Sequence, residues 1–349
     1  SAASDVYNRQ ILRTKFMLGL FENPYVVTPQ SVKYAPSHLA AARRAALESA
    51  ILLKNDGDVL PFDRAKVRKL LITGPMADAR YNQLGTWIFD GEKEHTVTLL
   101  DAFRSEYGDS LDIIYSPGLG NPRKSDPETI AAAVAAAADA DAIVVAVGED
   151  AILSGEGHCM ADLGLVGGQS QLVGPLKATG KPLVMIVMAG RPLAIGREAE
   201  MADAVIYSFH PGTMGGPALA DLLMGRESPS GKTPVSFPST SGQCPIYYNH
   251  ANTGRPATGA ELGIADIPDD AGNTFLGCTS YYLDAGHKPL YPFGYGLTYT
   301  TFDYSDLALD KTQYAPDGTV HVSFTLTNTG KREATEVVQL YTCLLYTSP

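Results

Sequence analysis

The loop Gly148-Glu149-Asp150-Ala151-Ile152-Leu153-Ser154-Gly155-Glu156-Gly157-His158 carries three carboxylates and sets the last of them, Glu156, between two glycines. A carboxyl group in such a place can hand a proton to a departing oxygen and take one back from water, which is general acid/base chemistry. The flanking glycines let the backbone bend and come close to a ligand. A lone carboxylate does not hydrolyse a glycoside, because that reaction needs a second one as nucleophile or base. By residue type alone a loop glutamate is most often a solvated charge. Glu149 and Asp150 compete for the same role and stand nearer the preceding apolar run.

That run, Ala142 to Val147, is short and almost unbroken, as expected of a strand buried on both faces of a parallel sheet. The loop therefore leaves a strand at its carboxyl end, where open α/β sheets place their chemistry. Strands at 70–73, 111–115, 142–147, 183–188 and 204–208 alternate with helical patterns at 96–105, 127–138, 169–178 and 217–224. Such alternation predicts βαβ units and a mostly parallel sheet wrapped by helices. Ahead of them, apolar residues at Leu39, Ala42, Ala46, Leu47, Ala50 and Ile51 mark one face of a helix expected over 37–54. Residues 37–240 thus read as one α/β domain.

Beyond Pro238 the chain turns rich in Gly, Pro, Asn, Thr and Tyr, and 241–300 reads as an irregular wrapping connector. From Thr319 to Thr327 apolar and polar residues alternate strictly. A second run, Glu336 to Tyr341, follows the turn Asn328-Thr329-Gly330-Lys331, and the two are expected to form an antiparallel hairpin that begins a β-sandwich. The 301–349 segment is about half the ~100 residues of such a module. Its last residues, CLLYTSP, continue no pattern and read as a non-native end.

Composition narrows the partners. The 349 residues are 45% hydrophobic and 19% charged, with a net charge of −11 that disfavours nucleic acid and anionic membrane surfaces. No apolar stretch reaches the roughly 20 residues that span a bilayer. Cys159, Cys244, Cys278 and Cys343 lie far apart without zinc-ligand spacing, so no metal is expected. Neither a GxGxxG after the first strand nor a GxxxxGK[ST] occurs, so no cofactor is expected and a nucleotide binder rests on alternation alone. Gly212 to Gly216 read as glycines that allow close packing and a tight helix start, and the scattered methionines as core filler. Residues 1–20 begin without Met or a leader and read as a helix already under way, so the chain is expected to be part of a longer one.

Several segments together resemble glycoside hydrolase family 3, of the bacterial periplasmic-type β-glucosidase kind. They are Lys15 to Tyr25, Glu48 to Asn55 with Leu60-Pro61, Gly74 to Asp78, Lys181 to Leu183 with Gly190-Arg191-Pro192, Pro229 to Pro238 and Pro292 to Tyr299. The resemblance runs from about Val6 to Tyr341 in order. It implies a (β/α)8 barrel, a six-stranded α/β sandwich and a fibronectin-III-like module, of which this chain holds the last barrel helix and linker (1–36), the α/β domain (37–240), the connector (241–300) and a truncated β module (301–349). The nucleophilic Asp of the family belongs to the barrel, the missing partner of the same polypeptide.

The resemblance further implies that Glu156 is the general acid/base of a retaining exo-β-glucosidase acting on a β-glucoside or oligosaccharide in the periplasm or outside the cell. That role requires a pKa raised by a partly dry setting. After Glu156 the family's Ser-Arg pair is replaced by His158-Cys159-Met160, which removes a cation that could tune a carboxylate. Trp87, the only tryptophan, aligns with a Gly-x-Trp segment that walls the aglycone subsite; its residue-level alternative is core packing. Arg255 lies in Asn252 to Pro256, a loop that resembles one at the mouth of the site. The alternative reading is a non-catalytic carbohydrate-binding or scaffold relative.

Overall fold

A computed structural model describes residues 2–25, 32–251 and 254–341. The chain forms two compact units, Ser1–Ala40 and Ala41–Pro349. The first holds α1 (Ala2–Met17) and the turns after it, where the Phe21 ring lies 4.3 Å from that of Phe16 in the last turn of the helix. Helix α2 (Pro36–Ser49) begins in the first unit and ends in the second. The second unit then runs β1 (Ile51–Asn55), β2 (Lys69–Thr73), α3 (Arg80–Leu84), α4 (Leu99–Tyr107), β3 (Asp112–Ser116), α5 (Pro127–Ala136), β4 (Ala142–Gly148), α6 (Gln169–Ala178), β5 (Leu183–Met188), α7 (Gly196–Met201), β6 (Ala204–Tyr207) and α8 (Gly215–Met224).

The strands form one sheet in the order β1-β6-β5-β4-β2-β3, parallel except for β1, which runs antiparallel to β6. Both faces are covered, and alternate residues of each strand serve opposite cores. Ala142, Val144 and Ala146 of β4 join Val184, Ile186 and Met188 of β5 on the face packed by α4 and α8. Ile143, Val145 and Val147 join Leu183, Met185 and Val187 on the face packed by α5 and α6. Double-sided burial is why the strands show no polar alternation.

The helix expected over 37–54 stops at Ser49, and Ile51 to Asn55 are the antiparallel edge strand instead. Helix-like spacing carried on through Ala50 and Ile51 because a short apolar run fits either period. The last segment also differs from the hairpin expected of it. Val322–Asn328 is a strand, β8, but it pairs antiparallel with β7 (Phe302–Leu309) rather than with Glu336 to Tyr341, which is not in a strand. Residues 343–349, with Cys343, lie outside the described residues.

Local caps fix the helix starts. Thr98 and Asp101 form a reciprocal capping box on α4, and Asp126 caps α5 with Pro127 in its first turn. Within the second unit, Arg43 on α2 grips Asp221 on α8 at 2.8 and 2.7 Å and Glu106 on α4 at 3.1 and 3.2 Å. This network ties three helices to one face.

At the opposite end of the strands from the loops, Asp141 accepts the backbone N–H groups of Arg68 and Lys69, both at 2.8 Å, joining the starts of β2 and β4. Those donors hold its carboxyl below the ordinary carboxylate range. A depressed folded pKa contributes stability that is present above the unfolded pKa, about 4, and is lost as pH falls through the folded value. Asp141→Asn is therefore expected to lower the denaturation midpoint at neutral pH, with the gap to the parent chain closing in acid. Urea titrations at pH 7 and pH 3 measure it; a gap that persists unchanged in acid contradicts the charge-based account.

Candidate active site

Strand β2 lies between β3, which follows it in the chain, and β4, which comes later, so the chain switches direction across the sheet between β2 and β4. Two loops leave the carboxyl ends of these neighbours, and such a switch point is where open α/β sheets hold ligands. One loop passes through α3 to Gly85-Thr86-Trp87. The other is Glu149 to His158.

The second loop is anchored at its root. The buried side chain of Gln169, the first residue of α6, accepts from Gly148 N at 2.7 Å and donates to Gly148 O at 2.8 Å. Next along the chain, Glu149 is only 1% exposed and accepts from Arg191 Nε at 3.1 Å. Burial holds its carboxyl above the ordinary range against the pull of the guanidinium. Asp150 accepts from Asn82 Nδ2 at 2.8 Å and lies 2.6 Å from Arg123 Nε in an ion pair. Asn82 on α3 also accepts from Ala151 N at 3.1 Å, so a single amide side chain joins the two loops.

The tip is a reverse turn. His158 N–H donates to Gly155 O at 3.2 Å, and Gly157, at the third position, has φ of +78°, which glycine adopts without strain. Glu156 occupies the second position and is exposed, and its carboxylate makes no hydrogen bond or ion pair among the described residues. Its two competitors are buried in ion pairs with Arg191 and Arg123. Of the three carboxylates, only Glu156 can reach a solute.

The Trp87 segment touches this turn directly. Gly155 has φ of +115°, and a Cβ there would lie 2.8 Å from Thr86 Cγ2. Each of the neighbouring residues is the side chain of interest: Trp87 follows Thr86, and Glu156 follows Gly155. Trp87 is 62% exposed, which rules out the core-packing role, and its ring centroid lies 6.3 Å from that of Phe89, itself 89% exposed. His158 stays a loop residue, its Nδ1 3.2 Å from Ser154 O.

Arg255 is not drawn into this cluster. It is exposed, and no hydrogen bond or ion pair joins it to either loop; Asn252 and Thr253 of its own loop lie outside the described residues. The residues that reading the sequence missed are Asn82, Arg123, Gln169 and Arg191, together with His210, which packs 3.1 Å from a Cβ placed on Gly85 and whose burial holds its pKa below the usual histidine value. Only Arg191 left a trace, as part of Gly190-Arg191-Pro192. No group of three or more His, Cys, Asp or Glu among the described residues is placed to hold a metal ion. Cys159, Cys244 and Cys278 are free and exposed, and no helix among the described residues is long and apolar enough to cross a membrane.

Residues 50–299 match the family model of the glycosyl hydrolase family 3 C-terminal domain. A periplasmic beta-glucosidase of Salmonella typhimurium is 38% identical over 97% of this chain and 46% of its own length. A beta-xylosidase of Formosa agariphila is 34% identical over 97% of the chain and 44% of its length. Among solved structures, beta-glucosidase from Listeria innocua in complex with glucose matches with a TM-score of 0.80 at 33% identity, over 91% of this chain and 41% of that one. The chain thus spans less than half the length of these relatives.

The contact between the two loops is testable through the single indole. Gly155→Ala forces a Cβ into a positive-φ position and against Thr86, at an expected cost of about 1–3 kcal/mol. Its thermal midpoint is expected to fall and the emission maximum of Trp87 to shift. An unchanged emission spectrum with an unchanged midpoint contradicts the contact.

Proposed function

Because the chain belongs to glycosyl hydrolase family 3, whose C-terminal domain it carries over residues 50–299, we propose that it supplies the proton-transferring half of a retaining β-glycosidase. One observation carries this reading: an exposed Glu156 at the tip of a turn whose root is fixed by buried charge pairs, next to an exposed indole at the switch point of the sheet. In this reading Glu156 protonates the departing glycosidic oxygen while a nucleophilic carboxylate attacks the anomeric carbon. The same group, now ionised, removes the proton from the water that releases the sugar. Trp87 offers its face to the sugar or aglycone beyond the scissile bond, and Arg255 makes a polar contact at the mouth.

The nucleophile belongs to a (β/α)8 barrel half of the same polypeptide. Retaining hydrolysis needs the two carboxyls about 5–5.5 Å apart, and both Glu149 and Asp150 are committed to ion pairs. The substrates are terminal β-D-glucosyl or related β-glycosyl residues, and the setting is periplasmic or secreted, supported by the names of relatives such as the Salmonella typhimurium protein. Residues 1–36 act as last barrel helix and linker, 37–240 as the α/β domain, 241–300 as connector and 301–349 as part of a fibronectin-III-like module. The His158-Cys159-Met160 stretch favours a second reading, a relative that binds carbohydrate without cleaving it.

In the longer enzyme Glu156→Gln is expected to lower kcat by about 10²–10⁴ on substrates with poor leaving groups. Trp87→Ala is expected to raise KM about two- to tenfold. The 349-residue chain by itself is expected to release no nitrophenol from an aryl β-glucoside. Turnover by that chain, abolished by Glu156→Gln, defeats the shared-site reading, whereas a longer protein that binds glucose without hydrolysis supports the second one.

A further inference from the structure

Arg191 sits just past the carboxyl end of β5 and spends its guanidinium on three acceptors. Nε donates to Glu149 Oε2 at 3.1 Å, and Nη2 donates to His158 O at 3.0 Å and to Leu153 O. The two carbonyls belong to residues on either side of Glu156, three before it and two after. The root of the arginine is fixed in turn: the buried Tyr207 hydroxyl donates to Arg191 O and accepts from Leu193 N at 3.1 Å. Arg191 is 17% exposed and Glu149 2% over their side chains, so the pair is largely out of water.

We infer that Arg191 is the positioning residue of the turn that presents Glu156. Loop carbonyls at a strand end have no ladder partner, and an exposed turn with free carbonyls samples many conformations. A planar guanidinium with several donors in fixed directions can bind both carbonyls and a carboxylate at once, and it stays charged at every accessible pH. Glu149 has a second effect. A nearby cation favours the ionised form of a carboxyl, and pairing with Glu149 cancels the charge of Arg191 while leaving its hydrogen bonds to the turn. The other ionisable groups at the loop are Asp150, paired with Arg123, the Glu156 carboxyl itself, and the imidazoles of His158 and His210. The turn is thus held by a cation whose charge is already matched.

The consequence for catalysis rests on the reading of Glu156 as acid/base, but the tethering does not, and amide exchange on the 349-residue chain reads it directly. In Arg191→Ala, exchange of the hydrogen-bonded Ser154 and His158 amides within 154–158 is expected to speed up about tenfold or more while amides of β4 and β5 keep their protection. Arg191→Lys keeps the charge but lacks the fork, and is expected to loosen the same residues. Millimolar guanidinium is expected to restore slow exchange in Arg191→Ala. In the longer enzyme Arg191→Lys is expected to lower kcat by about 10²-fold, with KM little changed. Unaltered exchange at 154–158 in both variants, or equal loosening of loop and sheet, overturns the assignment. A loosened loop in a protein whose activity ignores Glu156→Gln leaves the tether standing and removes the acid/base reading alone.

Discussion

Burial of both faces of a six-stranded sheet drives every polar function of this domain to the strand ends. Strands β4 and β5 offer no exposed side chain along their length, because alternate residues face two separate cores. Chemistry can then sit only on loops, and loops need anchors of their own. The sheet order supplies the place, since β2 and β4 are neighbours whose onward chains diverge. What remains is to hold two loops, each of them polar, at an edge where the hydrophobic core ends.

Charge does that work here. Glu149 and Asp150 begin the loop inside the protein, where an unpaired carboxylate is expensive, and each meets an arginine from another loop. Buried pairs of this kind contribute little net stability, since desolvation consumes most of the attraction. For the largely buried Arg191–Glu149 pair, removing one partner is costly, about 3–5 kcal/mol, because the other stays behind uncompensated; for Asp150 the cost is smaller, since Arg123 is half exposed. Such pairs therefore act as registers: they penalise any loop conformation that separates them. The Arg43, Asp221 and Glu106 network plays the same part among α2, α8 and α4, far along the chain from the loops.

The parallel strands were legible because double-sided burial writes an unbroken apolar run, and the bounds expected for 169–178 and 183–188 coincide with α6 and β5. Strand β1 was hidden by a run, Ile51 to Leu53, that continues the apolar stripe of α2 without a turn signal between them. The β7–β8 pairing was hidden for a different reason. Along both strands most residues are exposed, so no buried face sets the register, and the nearby Asn328 to Lys331 turn suggested a partner that the chain does not use. At the candidate site, the exposed turn that carries Glu156 was legible through its flanking glycines. Asn82, Arg123 and Arg191 are far from that loop in sequence and reach Asp150, Ala151, Glu149 and His158 only when the sheet sets the ends of β2, β3 and β5 beside the end of β4; no spacing rule could have joined them.

Exposure of Glu156 is itself informative about how such a group could serve as an acid. General acid catalysis near neutral pH needs a dry environment around the carboxyl, and the turn provides none, because the residues that hold it lie beneath it rather than over it. Trp87 and Phe89 stand beside the turn with large apolar surfaces open to water. Large aromatic surface left open to water in this way marks a place where another surface docks, whereas covering the carboxyl disfavours its charged form. Under the proposed function, a second protein surface closing over the turn buries the rings, excludes water from the carboxyl and brings the nucleophile that the mechanism requires. On the same reading the charge pairs at the root of the turn aim the carboxyl in advance, since a surface that meets it cannot also fold the loop that carries it.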